Sequence, residues 1–460
     1  MNERYDLAVI GSGPAGQKAA IQATKLGKRA AIIDRPHSLG GSCIQRAAIP
    51  SKTLREAVLY YTGFYHRQAY AAREKRDLTM QDLLDRCETV VANETRVVYR
   101  QLERNRVEMV EGEAYFTDAH TLKIRGSDQS LTADNFLIAT GTVPTRPDFV
   151  PFENNLIIDA EGLETFTQLP HSLVVVGAGV IGTEFASILA LLDIEVILID
   201  QRSRLLDFVD TEIAEALAYH MRDIGVTLYF DKEVVSIDKT SRGKVRTTLR
   251  SGKKLISDAL LYAVGRQGAT QTLGLEALDI QLDSRGRIMV NERFQTNVPH
   301  IYAAGDVIGF PSLASSSMEQ GRLAACHAFG VPTHHRPHLI PFGIYTVPEI
   351  SMVGQNEQQL TERRTPYEIG VARYREIARG QILGDKVGML KLLFDPESRK
   401  LLGVHAIGQG VTEIIHIGQA VLAYDGIIDY FIENTFNYPT FAECYRVAGL
   451  DGYNKVMAED

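Results

Sequence analysis

A chain of 460 residues has room for about three domains, and its 45% hydrophobic and 23% charged residues exclude a disordered or fibrous polypeptide. The 49 Lys and Arg against 57 Asp and Glu give a net charge of -8, which speaks against nucleic acid as a partner. The four cysteines, at 43, 87, 326 and 444, form no CxxC pair and no disulfide framework, which suits a reducing, cytoplasmic setting.

The first residues, MNERYDLAVIGSG, enter strand-like sequence at once and read as lacking a signal peptide. The apolar run ends in G-x-G-x-x-G at Gly11, Gly13 and Gly16, which predicts strand, tight turn and helix. A second apolar strand, AAIID, closes on Asp34. The same order returns after residue 171: SLVVV, then Gly177, Gly179 and Gly182, then VILID ending on Asp200. In both copies the acid lies 23 residues after the first glycine, the spacing of a carboxylate that binds ribose. In this motif the first glycine permits the turn, the second lets backbone approach a pyrophosphate, and the third packs helix on strand. The diphosphate then meets free amides at the positive end of the helix dipole. Two copies imply two dinucleotides.

Between the repeats, two segments of helical periodicity around residues 53–105 read as an insertion in the first unit. Each unit closes on an apolar strand running into glycine, NFLIATG at Gly141 and ALLYAVG at Gly265. Short β-type runs, VTLYF, EVVSI and KVRTTLR, predict a meander before the second closing strand. The stretch THHRPH, with His334, His335 and His338, reads as a polar linker, and no metal site is expected because no Cys or acid cluster accompanies it. From about residue 340 strands and helices follow without a glycine fingerprint. No segment should cross a membrane: the most apolar windows reach about half of the roughly 20 residues required.

These motifs resemble the FAD-dependent pyridine nucleotide-disulfide reductase family over nearly the whole chain. The matching segments are GSGPAG, GGSCIQRAAIPSK, IATG, GAGVIGTE and IYAAGDVIG. The resemblance implies an α/β fold with two Rossmann-like domains, for FAD and NAD(P), and a C-terminal α+β dimerisation domain. It divides the chain into an FAD domain at 1–145, an NAD(P) domain at 146–268, a central second part of the FAD domain at 269–339 and an interface domain at 340–460. A homodimer or higher homo-oligomer is expected. The resemblance places FAD on Gly11, Gly13, Gly16, Asp34, Arg35, Gly40, Gly41, Ser42, Cys43, Lys52, Thr140, Gly141 and Asp306, the last on the ribityl chain. NAD(P) falls to Gly177, Gly179, Gly182, Glu184, Asp200, Arg202, Arg204 and Gly265.

Two departures from the family pattern bear on chemistry. Cys43 holds the first cysteine position, but Ala48 stands at the second, so no vicinal disulfide can form. In FNYPTFAE, Tyr438 stands where the family has its catalytic His, with Glu443 retained; a phenol with an ordinary pKa of about 10 is a poor base near neutrality. Thiol chemistry has lost both its partners, while the residues for hydride transfer remain. This combination is similar to the flavin-type pyridine nucleotide transhydrogenases, a branch without the second cysteine. The implied reaction is a ping-pong exchange in which NADPH delivers hydride to FAD and NAD+ then collects it at the same place. An NAD(P)H oxidase or a quinone or dye reductase would share the first half-reaction and is the alternative.

The resemblance pairs Lys52, near a helix start, with Glu184 beside the flavin. Asp200 suits the ribose hydroxyls of NAD(H) but repels the 2′-phosphate of NADP(H), so Arg202 and Arg204 in the following turn are expected to receive that phosphate. For Cys43 a catalytic thiol, a redox sensor and a small packing residue are all open, and packing is favoured.

Overall fold

The computed structural model describes residues 3–64, 79–152, 155–162, 168–333 and 339–457; His334, His335 and His338 lie outside them. The chain forms two compact units, one of Met1–Leu54, Asp82–Thr145 and Gly265–His335, the other of Arg55–Gln81, Arg146–Val264 and Arg336–Asp460.

The first unit is a mainly parallel sheet. Its strands run in the order Glu108–Glu111, Ala30–Asp34, Glu3–Ile10, Ser130–Ile138, Thr121–Ile124, Ala114–Asp118, and Ile301–Ala303 pairs with Ser130–Ile138 as well. The second half of the central strand, Leu7 to Ile10, is apolar because both faces are covered there. Leu7 and Val9 enter one core cluster, Ala8 and Ile10 the other, as a period of two requires. On the first face, helix Pro14–Lys25 packs against helix Ala314–Ala328 through Ala15, Ala19, Ala20, Ala23, Ala324 and Ala325. The approach is close enough that a Cβ on Gly321 would strike the Ala15 carbonyl. The sequence around 53–105 supplies helices Ala48–Thr62 and Met80–Arg104.

The second unit holds a five-stranded parallel sheet in the order Thr227–Tyr229, Glu195–Ile199, Ser172–Val176, Ala259–Tyr262, Ile157–Asp159. VTLYF thus belongs to this sheet and not to the meander, because Thr227–Tyr229 runs parallel to Glu195–Ile199 after a connecting helix, Thr211–Asp223. The antiparallel meander comprises Val234–Lys239, Val245–Leu249 and Lys254–Ser257. Beyond residue 340 an antiparallel sheet runs Phe342–Ile344, Ile350–Gly354, Leu401–Ile407, Met389–Phe394, Glu368–Arg373. Helices Val411–Ala423 and Glu443–Met457 close its core through Ile415, Tyr445 and Ala448. Two Rossmann-like sheets and a C-terminal α+β layer make up the fold. Among the described residues no helix is long and apolar enough to cross a membrane.

Candidate cofactor and nucleotide sites

Both glycine fingerprints are built the same way. Gly13 and Gly179 are the N-caps of helices Pro14–Lys25 and Val180–Ala190, and no side chain caps either helix, so the first-turn amides stay available to an anion. Gly11 and Gly177 turn at φ 103° and 105°. A Cβ on Gly11 would strike the Ala139 carbonyl, and one on Gly177 would come within 2.7 Å of the Ala263 carbonyl. A Cβ on Gly16 or Gly182 would strike the carbonyl oxygen of its own Gly11 or Gly177. The middle glycines differ: the nearest atom to a Cβ on Gly13 is 4.0 Å away, on Gly41, and on Gly179 it is 3.9 Å away, Nη2 of Arg202. The chain itself demands the first and third glycines, whereas a Cβ on the second ones would clash with nothing.

The two acids are also anchored alike. Asp34 Oδ2 accepts the Ser12 amide at 2.6 Å, and Asp200 Oδ2 accepts the Ala178 amide at 2.6 Å, each from the residue after the first glycine. Ser12 adds a hydroxyl bond to Asp34 at 2.5 Å and receives the Gly40 amide at 3.1 Å, tying the GGSC segment to the first fingerprint. Gly40 and Gly41 take φ of 97° and 65°, and Gly41 lies so close to Gly13 that a Cβ would come within 2.7 Å of the Gly13 Cα. Arg35 donates its amide to Asp34 but its side chain is exposed.

In the first unit, Ser42 and Cys43 lie in a short helix, Gly41–Gln45, and Ala48 begins the next helix. Cys43 is a free thiol, and so are Cys87, Cys326 and Cys444. Burial, reinforced by the charge of Asp306 and opposed by Lys52, pushes the Cys43 thiol up to about 11, so it is protonated at neutral pH. Lys52 is half-buried, with Nζ 3.3 Å from the Ser51 hydroxyl. Burial also raises the Asp306 carboxyl above the ordinary range, against the Arg266 charge and the Ser317 hydroxyl. The Thr140 hydroxyl is buried and finds no hydrogen-bond partner among the described residues. Gly141 accepts the Ala269 amide at 3.0 Å, and Gly265, at φ 81°, accepts that of Thr145 at 3.2 Å. A helix start with no side-chain cap, a Gly13 whose Cβ position no atom crowds and an orphaned buried hydroxyl at Thr140 together fit a bound dinucleotide.

In the second unit Glu184 is 4% exposed, and its Oε1 accepts the Tyr345 amide at 2.8 Å. Asp200 is 7% exposed and clasped by Arg202, Nε to Oδ1 at 3.0 Å and Nη2 to Oδ2 at 2.8 Å. Burial alone would raise the Asp200 carboxyl; the Arg202 hydrogen bonds and the Ala178 amide hold it below the ordinary aspartate range. Arg204 points elsewhere, to the Thr211 hydroxyl and the Asp207 carbonyl, both at 2.6 Å. Tyr438 is 72% exposed, and Glu443, at the start of the last helix, keeps one buried oxygen with no partner among the described residues. Asp210, Glu212 and Glu357 converge as metal ligands would, but the Lys391 ammonium is within hydrogen-bond reach of all three.

Sequence reasoning missed Ser12, Arg266, Gln320 and Lys391. Ser12 occupies a variable position of the glycine motif and could have been read there. The others reach their sites from distant strands and helices: Arg266 bonds Thr142 at 2.8 Å, and Gln320 accepts the Gly305 amide at 2.9 Å beside Asp306. No local spacing announces such contacts.

Residues 5–321 match the pyridine nucleotide-disulphide oxidoreductases, and residues 340–448 match the dimerisation domain of the same family. Over 99% of this chain and 98% of its own length, a soluble pyridine nucleotide transhydrogenase of Mycobacterium tuberculosis is 52% identical. A protein of the same description from Salmonella gallinarum is 45% identical over 98% of this chain and 99% of its own. Among solved structures, the HOCl-induced flavoprotein disulfide reductase RclA from Escherichia coli is similar at TM-score 0.87 and 26% identity, covering 97% of this chain and 99% of its own. LpdA from Mycobacterium tuberculosis shares the fold at TM-score 0.90, with 24% identity over 97% of this chain and 99% of its own. The chain belongs to the pyridine nucleotide-disulphide oxidoreductase family, on the branch of the soluble pyridine nucleotide transhydrogenases.

Proposed function

We propose that the chain catalyses NADPH + NAD+ = NADP+ + NADH with one FAD held in the first unit of each subunit. The observation that carries this reading is the free Cys43 with Ala48 in place of a second cysteine in its motif, together with two intact nucleotide fingerprints. Bound FAD supplies a ring that takes hydride from one nicotinamide and gives it to the next.

On this reading the helix amides beyond Gly13 hold the flavin nucleotide's pyrophosphate, Asp34 accepts from its ribose, and Thr140 and Asp306 meet its remaining hydroxyls. Lys52 contributes positive charge where negative charge develops. Cys43 stays neutral and fills space. In the second unit the amides beyond Gly179 take the nicotinamide nucleotide's pyrophosphate and Glu184 lines the site. Asp200 serves the ribose diol of NAD(H), and Arg202 serves the 2′-phosphate of NADP(H). Tyr438 and Glu443 carry no thiol proton, because with Ala48 the redox motif has no second thiol for them to serve. The match to a dimerisation domain supports a homodimer, and four free cysteines support a cytoplasmic setting.

The test is stopped-flow mixing of the holoenzyme with NADPH under anaerobic conditions, followed by NAD+. Flavin absorbance should bleach and return with one NADH formed per flavin. If it returns only with O2 or a quinone, the oxidase or quinone reductase reading replaces this one.

A further inference from the structure

The turn after Asp200 carries two arginines, and the chain treats them differently. Arg202 is 37% exposed at its side chain; beyond Asp200 it holds Asp207 at 2.9 Å, and that carboxylate is itself 52% exposed. Its Nη2 lies 3.9 Å from where a Cβ on Gly179 would stand. Both terminal nitrogens of Arg204 are engaged as well, but by neutral groups of the chain rather than by carboxylates. Besides Thr211 and the Asp207 carbonyl, the Gln358 amide, with its oxygen turned toward the group, accepts from them at 3.1 and 2.9 Å and from the Thr211 hydroxyl at 2.7 Å.

The turn is pinned at further points. Asn356 Nδ2 donates to the Phe208 carbonyl at 3.3 Å. Leu205, Leu206 and Val209 are buried, and the Leu206 amide donates to the Ala178 carbonyl at 3.1 Å. Asp210, which ends the turn, caps helix Thr211–Asp223 and accepts from Lys391 Nζ at 3.2 Å. Lys391 has no solvent exposure and is shared with Glu212 at 3.0 Å and with Glu357. Residues 356–358 and Lys391 therefore form one clamp on the turn.

We propose that Arg202 alone reads the 2′-phosphate, and that Arg204, Gln358 and Lys391 are positioning residues that hold the turn so that Arg202 is preplaced. This deepens the nucleotide assignment made above and rests on it. The effect is selective for a physical reason. Asp200, which serves NAD(H), keeps the Ala178 amide of the fingerprint even when the Arg202 guanidinium that also clasps it shifts. The Arg202 guanidinium is carried by the turn. Loosening the clamp adds an ordering cost to the binding of the phosphorylated nucleotide only.

The test measures KM and kcat for NADPH and NADH, with FAD content and melting temperature, in Arg202→Ala, Arg204→Ala, Gln358→Ala, Gln358→Glu and Lys391→Met. Gln358→Ala should raise the KM for NADPH roughly 3- to 10-fold with kcat and the NADH constants kept. Gln358→Glu, which retains an acceptor for Arg204, should restore the wild-type KM. Lys391→Met should shift the same ratio; if it fails to fold, the Gln358 pair still decides. In an Arg202→Ala background, Gln358→Ala and Arg204→Ala should add nothing to the NADPH loss. Full additive losses there would make Arg204 a phosphate ligand and overturn the proposal. An unchanged NADPH constant in Gln358→Ala, with a loss in Arg202→Ala, would overturn the clamp alone. If Arg202→Ala leaves the NADPH to NADH ratio unchanged, the phosphate assignment above fails, and the clamp's role with it.

Discussion

Arg202 and Asp200 form a two-point ion pair, Nε to Oδ1 at 3.0 Å and Nη2 to Oδ2 at 2.8 Å, beside the second glycine fingerprint. The pair answers a conflict in the chemistry. An acid that suits a ribose diol repels a 2′-phosphate, and a guanidinium laid against it cancels that repulsion and offers a two-point donor to phosphate.

Arg202→Ala should therefore raise the KM for NADPH about 10- to 100-fold, the cost of charge-assisted hydrogen bonds, while the KM for NADH changes by less than about threefold. Steady-state kinetics with each nucleotide varied checks this; equal losses would remove Arg202 from phosphate recognition.

The same pair gives stability a pH dependence. A carboxyl held below its unfolded value adds stability that is complete above that value and lost as the pH falls through the folded one. For Asp200, whose ordinary value is 3.8 and whose folded value is lower, the loss sets in only below about pH 4. Asp200→Asn should flatten the melting temperature profile in that acid range and leave it unchanged in shape above about pH 6.

Cys43 should be a slow nucleophile. With its thiol raised to about 11 by burial and the neighbouring Asp306 charge, alkylation at pH 7 should be far slower than for a free cysteine and should accelerate toward pH 11. Cys43→Ser should keep FAD and at least about half of turnover, since no thiolate is used. Thiol titration after NADPH addition should find no new thiols; two per flavin would restore a disulfide to the mechanism.

Two glycines of the second fingerprint should fail in different ways. Gly182→Ala places a methyl on the Gly177 carbonyl and should cost about 1–3 kcal/mol of stability. At Gly179 a methyl meets nothing nearer than 3.9 Å, so Gly179→Ala should melt normally yet raise the KM for NADH and NADPH together. Paired melting and kinetic measurements separate the two.

The outline of this protein was legible in the linear chain because its main signals are local. A glycine fingerprint, the strand before it and the acid 23 residues later lie within one βαβ unit, so spacing alone reports them. The replacement of a second cysteine by Ala48 is likewise a fact of sequence, and by itself it turns the chemistry away from thiol exchange. Local pattern misread VTLYF, because a short β-type run does not say whether its partner is the next strand or Glu195–Ile199 before the intervening helix. It also weighed Arg202 and Arg204 equally. Only the folded chain brings Gln358 and Lys391 from a distant part of the sequence against that turn, with Arg204 on Gln358 and Arg202 on Asp200 and Asp207 beside Gly179. Residue type and spacing determined which chemistry is present; long-range packing decided which groups hold each of two identical side chains.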